Sequence, residues 1–304
     1  MSEYLSPQQA VEHYKLELEQ SVHESEIEKA LRENGIAAIE IPLSPDDFAR
    51  FSNAFDIVLN ECPTELKDTF YKGDERYGSE VGYTRKELKM DTNGVQVADP
   101  KNYFHFTENA RSHWKDKFRT GPKVLQNFLN DGFEIHDALI GVAKSTVRSL
   151  ENTHPNISKL YFPNDDSFTF LRLLRYDGYT PHENMLDVAT PHFDIAGVTL
   201  QAYADAPGFW AAPSDENGQR THHNTRPNEA YAFVGEGHRK VYGENNALQP
   251  LYHGVDRIIP AGVTWVPERT AVILFVDAPE VDYEITMKDT RPYTTRRLAS
   301  FAIK

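Results

Sequence analysis

The segment that decides the fold is T-P-H-F-D-I-A-G-V-T-L-Q-A-Y, residues 190–203. Its branched side chains, among them Val198 and Leu200, favour a β-strand. His192 and Asp194 stand two positions apart near its start, and residues i and i+2 of a strand project from the same face. The sequence therefore predicts an imidazole and a carboxylate side by side at the beginning of a strand.

A histidine and an aspartate in this arrangement supply two ligands of a 2-His-1-carboxylate triad, which suits non-haem Fe(II) and leaves coordination positions open. Because His-x-Asp also occurs by chance, this interpretation requires a third ligand downstream. His222, His223 and His238 fall in polar segments that read as loops. His253 opens a strand-like run, where a ligand is held rigidly. We therefore predict that His253 completes the metal site.

The segment E-R-T-A-V-I-L-F-V-D (268–277) predicts another strand, with a charge at its start. Strand alternation puts Arg269 and Ala271 on one face, and both faces are largely apolar beyond the arginine, as in a strand buried on two sides. A buried guanidinium needs an anionic partner, because burying an isolated charge is costly. The partner is either a protein carboxylate in a structural ion pair or the carboxylate of a ligand, which guanidinium binds through two parallel hydrogen bonds.

The first half of the chain has mainly helical patterns. Residues 7–20 are polar and helix-prone, and a following helix ends at the Asn34-Gly35 pair, which is typical of a helix C-cap. Ser44 and Pro45 predict the start of another helix, with serine as the cap and proline in the first helical position. Residues 122–150 carry a long apolar stripe with the 3.6-residue period.

The second half has short β-type runs separated by turn-rich segments, which suggest a sandwich, barrel or jelly roll. These runs are residues 168–176, 191–203, 230–234, 253–259 and 270–276. We therefore predict an α+β fold in two parts. Residues 1–165 form a mainly helical N-terminal region that contributes an edge strand near residues 36–41, and residues 166–304 form the β core.

Composition limits the partners and the compartment. The chain has 304 residues and a formal net charge of −14, which argues against nucleic acid or an anionic membrane surface as the main partner, since both require a basic face. Its single cysteine, Cys62, cannot form an internal disulfide. No apolar run approaches the ~18 residues of a membrane span, and the first residues lack the pattern of a signal peptide. We expect a soluble, cytoplasmic protein.

Seven segments follow one another in an order that carries a family resemblance: L-R-L-L-R-Y (171–176), P-H-F-D (191–194), V-T-L-Q-A-Y (198–203), G-F-W (208–210), N-E-A-Y-A-F-V-G-E (228–236), L-Y-H-G-V-D-R (251–257) and E-R-T-A-V-I-L-F-V (268–276). Together they resemble the isopenicillin-N-synthase-like branch of the 2-oxoglutarate/Fe(II)-dependent oxygenases. Upstream, residues 77–83 and 98–106 resemble the segment that precedes the long helix of that family.

The resemblance implies a double-stranded β-helix, or jelly roll, with helices packed against one side. By the same resemblance, His192, Asp194 and His253 bind Fe(II). Arg269 pairs with the distal carboxylate of 2-oxoglutarate, and Tyr176 donates its hydroxyl to that co-substrate. The implied reaction uses O2 to oxidise a small organic molecule while 2-oxoglutarate becomes succinate and CO2. Hydroxylation is the expected outcome, with desaturation and cyclisation as variants.

One position departs from the family pattern, because Ala271 stands where the family has a serine two residues after the arginine. The missing hydroxyl removes roughly 0.5–1.5 kcal/mol of co-substrate binding unless Thr270 or another group replaces it. A 2-oxoglutarate-independent Fe(II) oxidase of the same fold therefore stays open, as do a non-catalytic jelly-roll binding protein and a zinc hydrolase. The primary substrate is also open. Residues in segments that could line its pocket are Tyr83, Arg85, Tyr103, His105 and Arg172.

Overall fold

The computed structural model describes residues 23–68, 70, 72–74, 79–86, 89–90, 96–98, 100–114, 120–163, 168–178, 188–212, 219–243, 245–246, 248–256 and 264–278. The helix predicted at residues 7–20 lies outside this range. The helices of the described part are α1 (His23–Asn34), α2 (Pro45–Glu61), α3 (Thr64–Asp68), α4 (Glu108–His113), α5 (Lys123–Arg148), α6 (Ile157–Tyr161) and α7 (Glu236–Tyr242). None of them is long and apolar enough to cross a bilayer.

The strands of the same residues are β1 (Ala37–Glu40), β2 (Lys72–Asp74), β3 (Ser79–Lys86), β4 (Lys89–Met90), β5 (Gln96–Ala98), β6 (Lys101–Phe106), β7 (Phe168–Tyr176), β8 (Ala189–His192), β9 (Val198–Ala204), β10 (Phe209–Ala212), β11 (Thr221–His222), β12 (Glu229–Val234), β13 (Tyr252–Val255) and β14 (Arg269–Asp277). The strands predicted at 168–176, 230–234 and 270–276 are present as β7, β12 and β14.

Two antiparallel sheets form the core. The main sheet has the order β1-β12-β9-β14-β7-β6-β3-β2, and the second sheet has the order β11-β10-β13-β8, while β4 and β5 pair separately. From β8 to β14 the chain passes repeatedly between the two sheets, which is the jelly-roll arrangement. The predicted α+β fold with a jelly-roll core is confirmed.

The N-terminal half contributes to both ends of the main sheet. β1, the strand predicted near residues 36–41, lies at one edge beside β12. At the other end, β6, β3 and β2 extend the sheet from β7. The division of the chain at residue 165 stays a prediction.

The main sheet has two faces with different neighbours. The face that we call the helix face carries side chains such as Leu173, Leu200 and Leu274, which pack with α2 and α5 in one large apolar cluster. Each fully buried Leu or Phe side chain stabilises the fold by about 1.5–3 kcal/mol. The opposite face, which we call the inner face, carries the alternate residues of the same strands, including Arg269 and Tyr176.

α5 forms because its apolar residues recur with the helical period, and it packs closely against the sheet. Leu125, Leu129, Leu139 and Val147 on this stripe are all buried. A Cβ atom at Gly132 would lie 2.3 Å from the ring of Phe106, so only glycine permits this approach of α5 to β6. The predicted helix at 122–150 is confirmed.

The caps of α1 and α2 follow their sequence signals. Gly35 adopts a positive φ of 71° after α1, and its N–H donates to the Leu31 carbonyl at 2.9 Å. At the start of α2, the Asp47 N–H donates to the Ser44 hydroxyl at 3.3 Å and the Asp47 carboxylate accepts from the Ser44 N–H at 2.9 Å. This capping box confirms the predicted start at Ser44 and Pro45.

Candidate metal centre

The two histidines of the predicted site lie on neighbouring strands of the second sheet. β8 and β13 pair antiparallel with His192 directly opposite His253, and their ring centroids are 4.6 Å apart. Directly opposite residues of an antiparallel pair project to the same side. The pairing of these strands therefore brings together two residues that are 61 positions apart, as the numbering shows.

Asp194 does not lie in a strand. The prediction of one continuous strand over residues 191–203 is wrong, because β8 ends at His192 and a bend over residues 195–197 precedes β9. The bend takes the chain from the second sheet to the main sheet. It is held by α7, whose Glu236 and Gly237 N–H groups donate to the carbonyls of Asp194 and Ile195 at 2.8 and 3.0 Å.

The three predicted ligands nevertheless converge. Oδ1 of Asp194 lies 3.4 Å from Nε2 of His192 and 3.7 Å from Nε2 of His253. Two donors bound to one metal at about 2.1 Å, with a right angle between them, would lie about 3 Å apart. The observed separations therefore suit three donors around a single ion, and the chemistry of the donor set fits Fe(II).

Hydrogen bonds fix the orientation of two of these donors. Thr199 donates its hydroxyl to Oδ2 of Asp194 at 2.8 Å, which leaves Oδ1 turned toward both imidazoles. Nδ1 of His253 lies 3.0 Å from the Leu251 carbonyl, which can only accept, so Nδ1 carries the proton and Nε2 carries the lone pair. Such contacts to the second atom of a ligand side chain are typical of metal sites.

The protonation states also suit metal binding. Burial lowers the pKa of His253 to about 4, although Asp194 opposes the shift, so the imidazole is neutral at pH 7. Burial alone would raise the pKa of Asp194, but His253, His192 and the Thr199 hydroxyl hold it well below its usual range. At neutral pH this centre therefore presents neutral imidazole and ionised carboxylate, the forms that bind metals.

Aromatic rings enclose His253. Its ring centroid lies 4.9 Å from that of Phe233 and 5.8 Å from that of Phe209. Phe193 stands between the predicted ligands His192 and Asp194 in the chain. Its ring is buried against Trp210 and Tyr252. An apolar shell of this kind limits the access of water to the centre.

Arg269 and Tyr176 lie next to each other on the inner face of the main sheet. They are directly opposite residues of β14 and β7, and each is 7% exposed. Nε of Arg269 donates to the Ala206 carbonyl at 3.3 Å, and the guanidinium makes no ion pair with any described carboxylate. Burial lowers the pKa of Arg269 while Tyr176 and Asp205 oppose this shift, and a guanidinium remains charged at neutral pH.

A cavity of about 260 Å³ opens beside Arg269. Its lining residues are Gln201, Ala204, Asp205, Ala206, Pro207, Phe209, His223, Asn224, Thr225 and Arg269. Phe209 is shared between this cavity and the surroundings of His253. The cavity therefore adjoins both the guanidinium and one predicted metal ligand.

Among the described residues, those directly opposite Ala271 supply no hydroxyl in place of the missing one. Ala271 is on the inner face with Arg269, and its opposite residues are Leu174 in β7 and Ala204 in β9. Thr270 belongs to the helix face, where it stands opposite Arg175. The suggestion that Thr270 substitutes for the serine is therefore wrong.

The structure separates the residues proposed to line a substrate pocket. Tyr103, His105 and Arg172 lie on the inner face. Tyr83 lies on the helix face and donates its hydroxyl to Asn102 at 2.8 Å. Arg85 lies on that face too and forms a two-point ion pair with Asp177, at 3.0 and 2.7 Å. Tyr83 and Arg85 are therefore not part of an inner-face pocket.

The other candidate histidines are not part of the cluster formed by His192, Asp194 and His253. His222 is in β11, with Nε2 2.9 Å from the Asp256 carboxylate, and His223 stands beside the ring of Tyr231. His238 is not in a loop, because it lies in α7 and is fully buried, with Nδ1 3.3 Å from the Tyr161 hydroxyl. Sequence reasoning missed the role of Thr199, whose only signal was a hydroxyl inside the strand predicted over residues 191–203.

Comparison with known proteins gives structural likeness without a sequence match. No family model matches the chain, and no curated protein matches it in sequence. A full-length protein of Neurospora crassa, solved in complex with α-ketoglutarate, superposes with a TM-score of 0.66 at 17% identity, over 94% of this chain and 92% of that chain. Another crystal structure of the Neurospora crassa protein contains both α-ketoglutarate and thymine, and matches with a TM-score of 0.65 at 18% identity, over the same shares of the two chains.

A plant enzyme has the same architecture. The dioxygenase for auxin oxidation 1 of Arabidopsis thaliana, in its complex with 2-oxoglutarate, has a TM-score of 0.63 at 15% identity, over 88% of this chain and 94% of that chain. These likenesses extend over nearly the whole chain, and they do not distinguish the isopenicillin-N-synthase-like branch from others. The chain therefore has the fold of these solved structures, a double-stranded β-helix.

Proposed function

We propose that this protein is an Fe(II)- and 2-oxoglutarate-dependent oxygenase that acts on a small organic molecule. The observation that carries the proposal is the combination of a convergent His192–Asp194–His253 cluster with a buried Arg269 that forms no ion pair with a described carboxylate and lies beside a cavity. A buried guanidinium of this kind is a binding site for an anion, since its burial is favourable only when the charge is compensated.

In this proposal His192, Asp194 and His253 bind Fe(II) through Nε2, Oδ1 and Nε2. Bound there, the iron supplies the activation of O2, from which one oxygen atom enters the substrate C–H bond and the other enters succinate as 2-oxoglutarate loses CO2. Thr199 and the Leu251 carbonyl hold two of the ligands in place. The rings of Phe209 and Phe233 exclude water from the side of His253.

Arg269 and Tyr176 bind the distal carboxylate of 2-oxoglutarate in this proposal. The guanidinium offers two parallel N–H donors, and the neighbouring phenol offers an O–H donor on the same face. The adjoining cavity has room for a five-carbon dicarboxylate. The Neurospora crassa protein and the Arabidopsis dioxygenase were both solved with this co-substrate, and the Neurospora crassa protein also with thymine. These complexes support a small-molecule substrate for a chain of the same fold.

One observation favours a second candidate, a 2-oxoglutarate-independent Fe(II) oxidase. Ala271 supplies no hydroxyl, and its opposite residues Leu174 and Ala204 supply none either. The loss concerns one hydrogen bond of roughly 0.5–1.5 kcal/mol, whereas the buried charge of Arg269 is retained. We therefore place the 2-oxoglutarate-dependent reaction first.

We also propose that the protein acts in the cytoplasm, with O2 and small molecules as its partners rather than nucleic acid or membranes. Cys62 is a buried free thiol, which suits a reducing compartment. The net charge of −14 opposes binding to other polyanions. Fractionation of cells that express the tagged chain would test the location.

The test is an anaerobic titration of the purified chain with Fe(II) and then with 2-oxoglutarate, followed by visible absorption. We expect the charge-transfer band of the iron chelate to appear with the wild-type chain and to be lost in Arg269→Ala, which should still bind iron. Arg85→Ala, which removes an arginine from the helix face, should keep the band. Iron binding without a band in the wild-type chain would favour the second candidate, and absence of iron binding would contradict both.

A further inference from the structure

The inner face carries an aromatic surface close to the metal centre. Phe170 of β7 and Phe275 of β14 are directly opposite residues, and their rings stack with centroids 4.7 Å apart and planes inclined by 22°. Phe275 is in turn opposite Thr199 of β9, the residue that binds Asp194. Both rings also pack with Ala196, two residues after Asp194. The stacked pair therefore lies beside Thr199 and the bend that follows Asp194.

A guanidinium covers this aromatic surface. Cζ of Arg172 lies 4.8 Å from the ring centroid of Phe275 and 5.6 Å from those of Phe170 and Tyr103. Nε of Arg172 donates to Nε2 of His105 at 2.6 Å. This hydrogen bond and the ring contacts fix the plane of the guanidinium, so little rotamer entropy remains to be lost when it binds a ligand.

Further cationic side chains lie on the same inner face. One continuous row of opposite residues crosses β3, β6, β7 and β14, and it consists of Lys86, Lys101, Tyr176 and Arg269. Nζ of Lys86 lies 5.5 Å from the ring centroid of Tyr103, and Nζ of Lys101 lies 5.2 Å from that of Tyr176.

We propose that the primary substrate is a small aromatic carboxylic acid, bound by Arg172 through its carboxylate and by Phe170 and Phe275 through its ring. The inference rests on the proposed function and assigns the substrate class of the same site. Guanidinium and carboxylate match in geometry, and stacked rings offer an apolar surface to a planar group. Because the aromatic pair adjoins Ala196 and Thr199, a ring bound there lies on the part of the inner face next to Asp194.

The test compares aromatic acids with their uncharged amides, so that shape is held nearly constant while charge is removed. The full chain is loaded with Mn(II), which replaces iron without turnover, and with 2-oxoglutarate. It is then titrated calorimetrically with benzoate, phenylacetate and 3-phenylpropanoate, each beside its amide. We expect at least one acid to bind about tenfold or more tightly than its amide, as a charge-assisted hydrogen bond predicts.

Variants of Arg172 test whether this residue causes the preference for the acid over its amide. Arg172→Gln should lower the affinity for the acid to that for its amide and leave the affinity for the amide unchanged. Arg172→Lys should keep part of the preference for the acid, because lysine keeps the charge without the planar guanidinium. Arg85→Gln is the matched control, since it removes the same charge from the helix face and should keep the full preference. Binding of Mn(II) and 2-oxoglutarate by each variant reports that its core is folded.

Two results would overturn the inference. One is equal binding of acid and amide in every wild-type pair, and the other is an acid preference that persists in Arg172→Gln. If the wild-type chain binds Mn(II) and 2-oxoglutarate but shows either result, only the substrate class is wrong. If it binds neither, the proposed function itself fails.

Discussion

Thr199 controls how Asp194 presents its carboxylate to a metal. The Thr199 hydroxyl is bonded to Oδ2, and both residues are buried. In Thr199→Val the shape is kept and the donor is lost, so Oδ2 loses this partner and the carboxylate can rotate. We expect the affinity for Mn(II) to fall about tenfold or more, as is typical when a hydrogen bond to a metal ligand is removed.

The measurement is a calorimetric titration with Mn(II), in which Thr199→Ser serves as the control because it retains the hydroxyl. An affinity of Thr199→Val equal to that of the wild type would show that the bend, rather than this hydrogen bond, orients Asp194.

Ala271 offers the opposite experiment, in which a group is added. Serine at this position would place a hydroxyl two residues from Arg269 on the same face, between the apolar side chains of Leu174 and Ala204. We expect Ala271→Ser to tighten 2-oxoglutarate binding by about twofold to tenfold, the equivalent of one neutral hydrogen bond. Calorimetry on the Mn(II)-loaded chain measures the change.

Ala271→Cys is the matched control, since it adds a similar volume with only a weak donor. If serine gives no gain over cysteine, the carboxylate does not approach residue 271, and the binding mode assigned to Arg269 and Tyr176 needs revision.

At the scale of elements, the start of α7 and the bend at residues 195–197 form one unit. A Cβ atom at Gly235 would lie 2.3 Å from the Ala196 carbonyl oxygen and 2.6 Å from that of Asp194. Gly235→Ala must therefore push α7 away from the bend and strain the Glu236–Asp194 hydrogen bond. We expect a loss of about 1–3 kcal/mol in the free energy of unfolding, together with weaker Mn(II) binding.

Gly243 at the other end of α7 provides the comparison. It has a positive φ of 86°, but nothing lies within 4 Å of the added Cβ. Gly243→Ala should lose about 1–2 kcal/mol of stability through its backbone and keep the affinity for Mn(II). Denaturant unfolding and metal titration of both variants separate the two effects; equal Mn(II) affinity in both variants would show that α7 does not position Asp194.

At the scale of the molecule, buried neutral histidines make stability depend on pH. Burial lowers the pKa of His136 in α5 to about 3, and Arg111 makes a smaller contribution. Burial likewise lowers the pKa of His238 to about 3, with a smaller contribution from His154. In the unfolded chain both would titrate near a pKa of about 6.5, so between pH 6.5 and 3 the unfolded state binds more protons. Stability is therefore full above pH ~6.5 and decreases as the pH falls through this window.

His136→Gln removes one of these groups while retaining a polar side chain near the Thr169 hydroxyl, which lies 3.0 Å from Nε2 of His136. We expect the decrease in the free energy of unfolding between pH 6 and 5 to become shallower by about 1 kcal/mol per pH unit, close to the limit for one proton. Chemical denaturation at several pH values measures the slope. An unchanged slope would mean that His136 is protonated in the folded chain.

The sequence predicts the elements whose signals are local. Three examples are the capping box at Ser44, the apolar stripe of α5 and the strand alternation that places Arg269 on the inner face. Each depends only on residues that are close together in the sequence. The predicted strands carry the histidines to their positions because strand pairing keeps the alternation of side chains.

The features that the sequence did not predict depend on distant partners. The bend after Asp194 is held by partners that are distant in sequence, because α7 donates to the carbonyls of Asp194 and Ile195 and the Gly197 N–H donates to the Val276 carbonyl of β14. The glycines around His238 predict a loop, whereas the residue lies in a short helix and is buried against Tyr161. The stacking of Arg172 over Phe275 likewise requires the register of β7 and β14.

The two ends of the proposed co-substrate site belong to different sheets. His192 and His253 are carried by β8 and β13, whereas Arg269 and Tyr176 are carried by β14 and β7. Packed sheets lie about 10 Å apart, and a close-packed interior hardly compresses. In the proposed site the packed core therefore fixes the distance between the metal ligands and Arg269. A 2-oxo diacid one carbon shorter or longer than 2-oxoglutarate should bind poorly, because no loop movement can change the span.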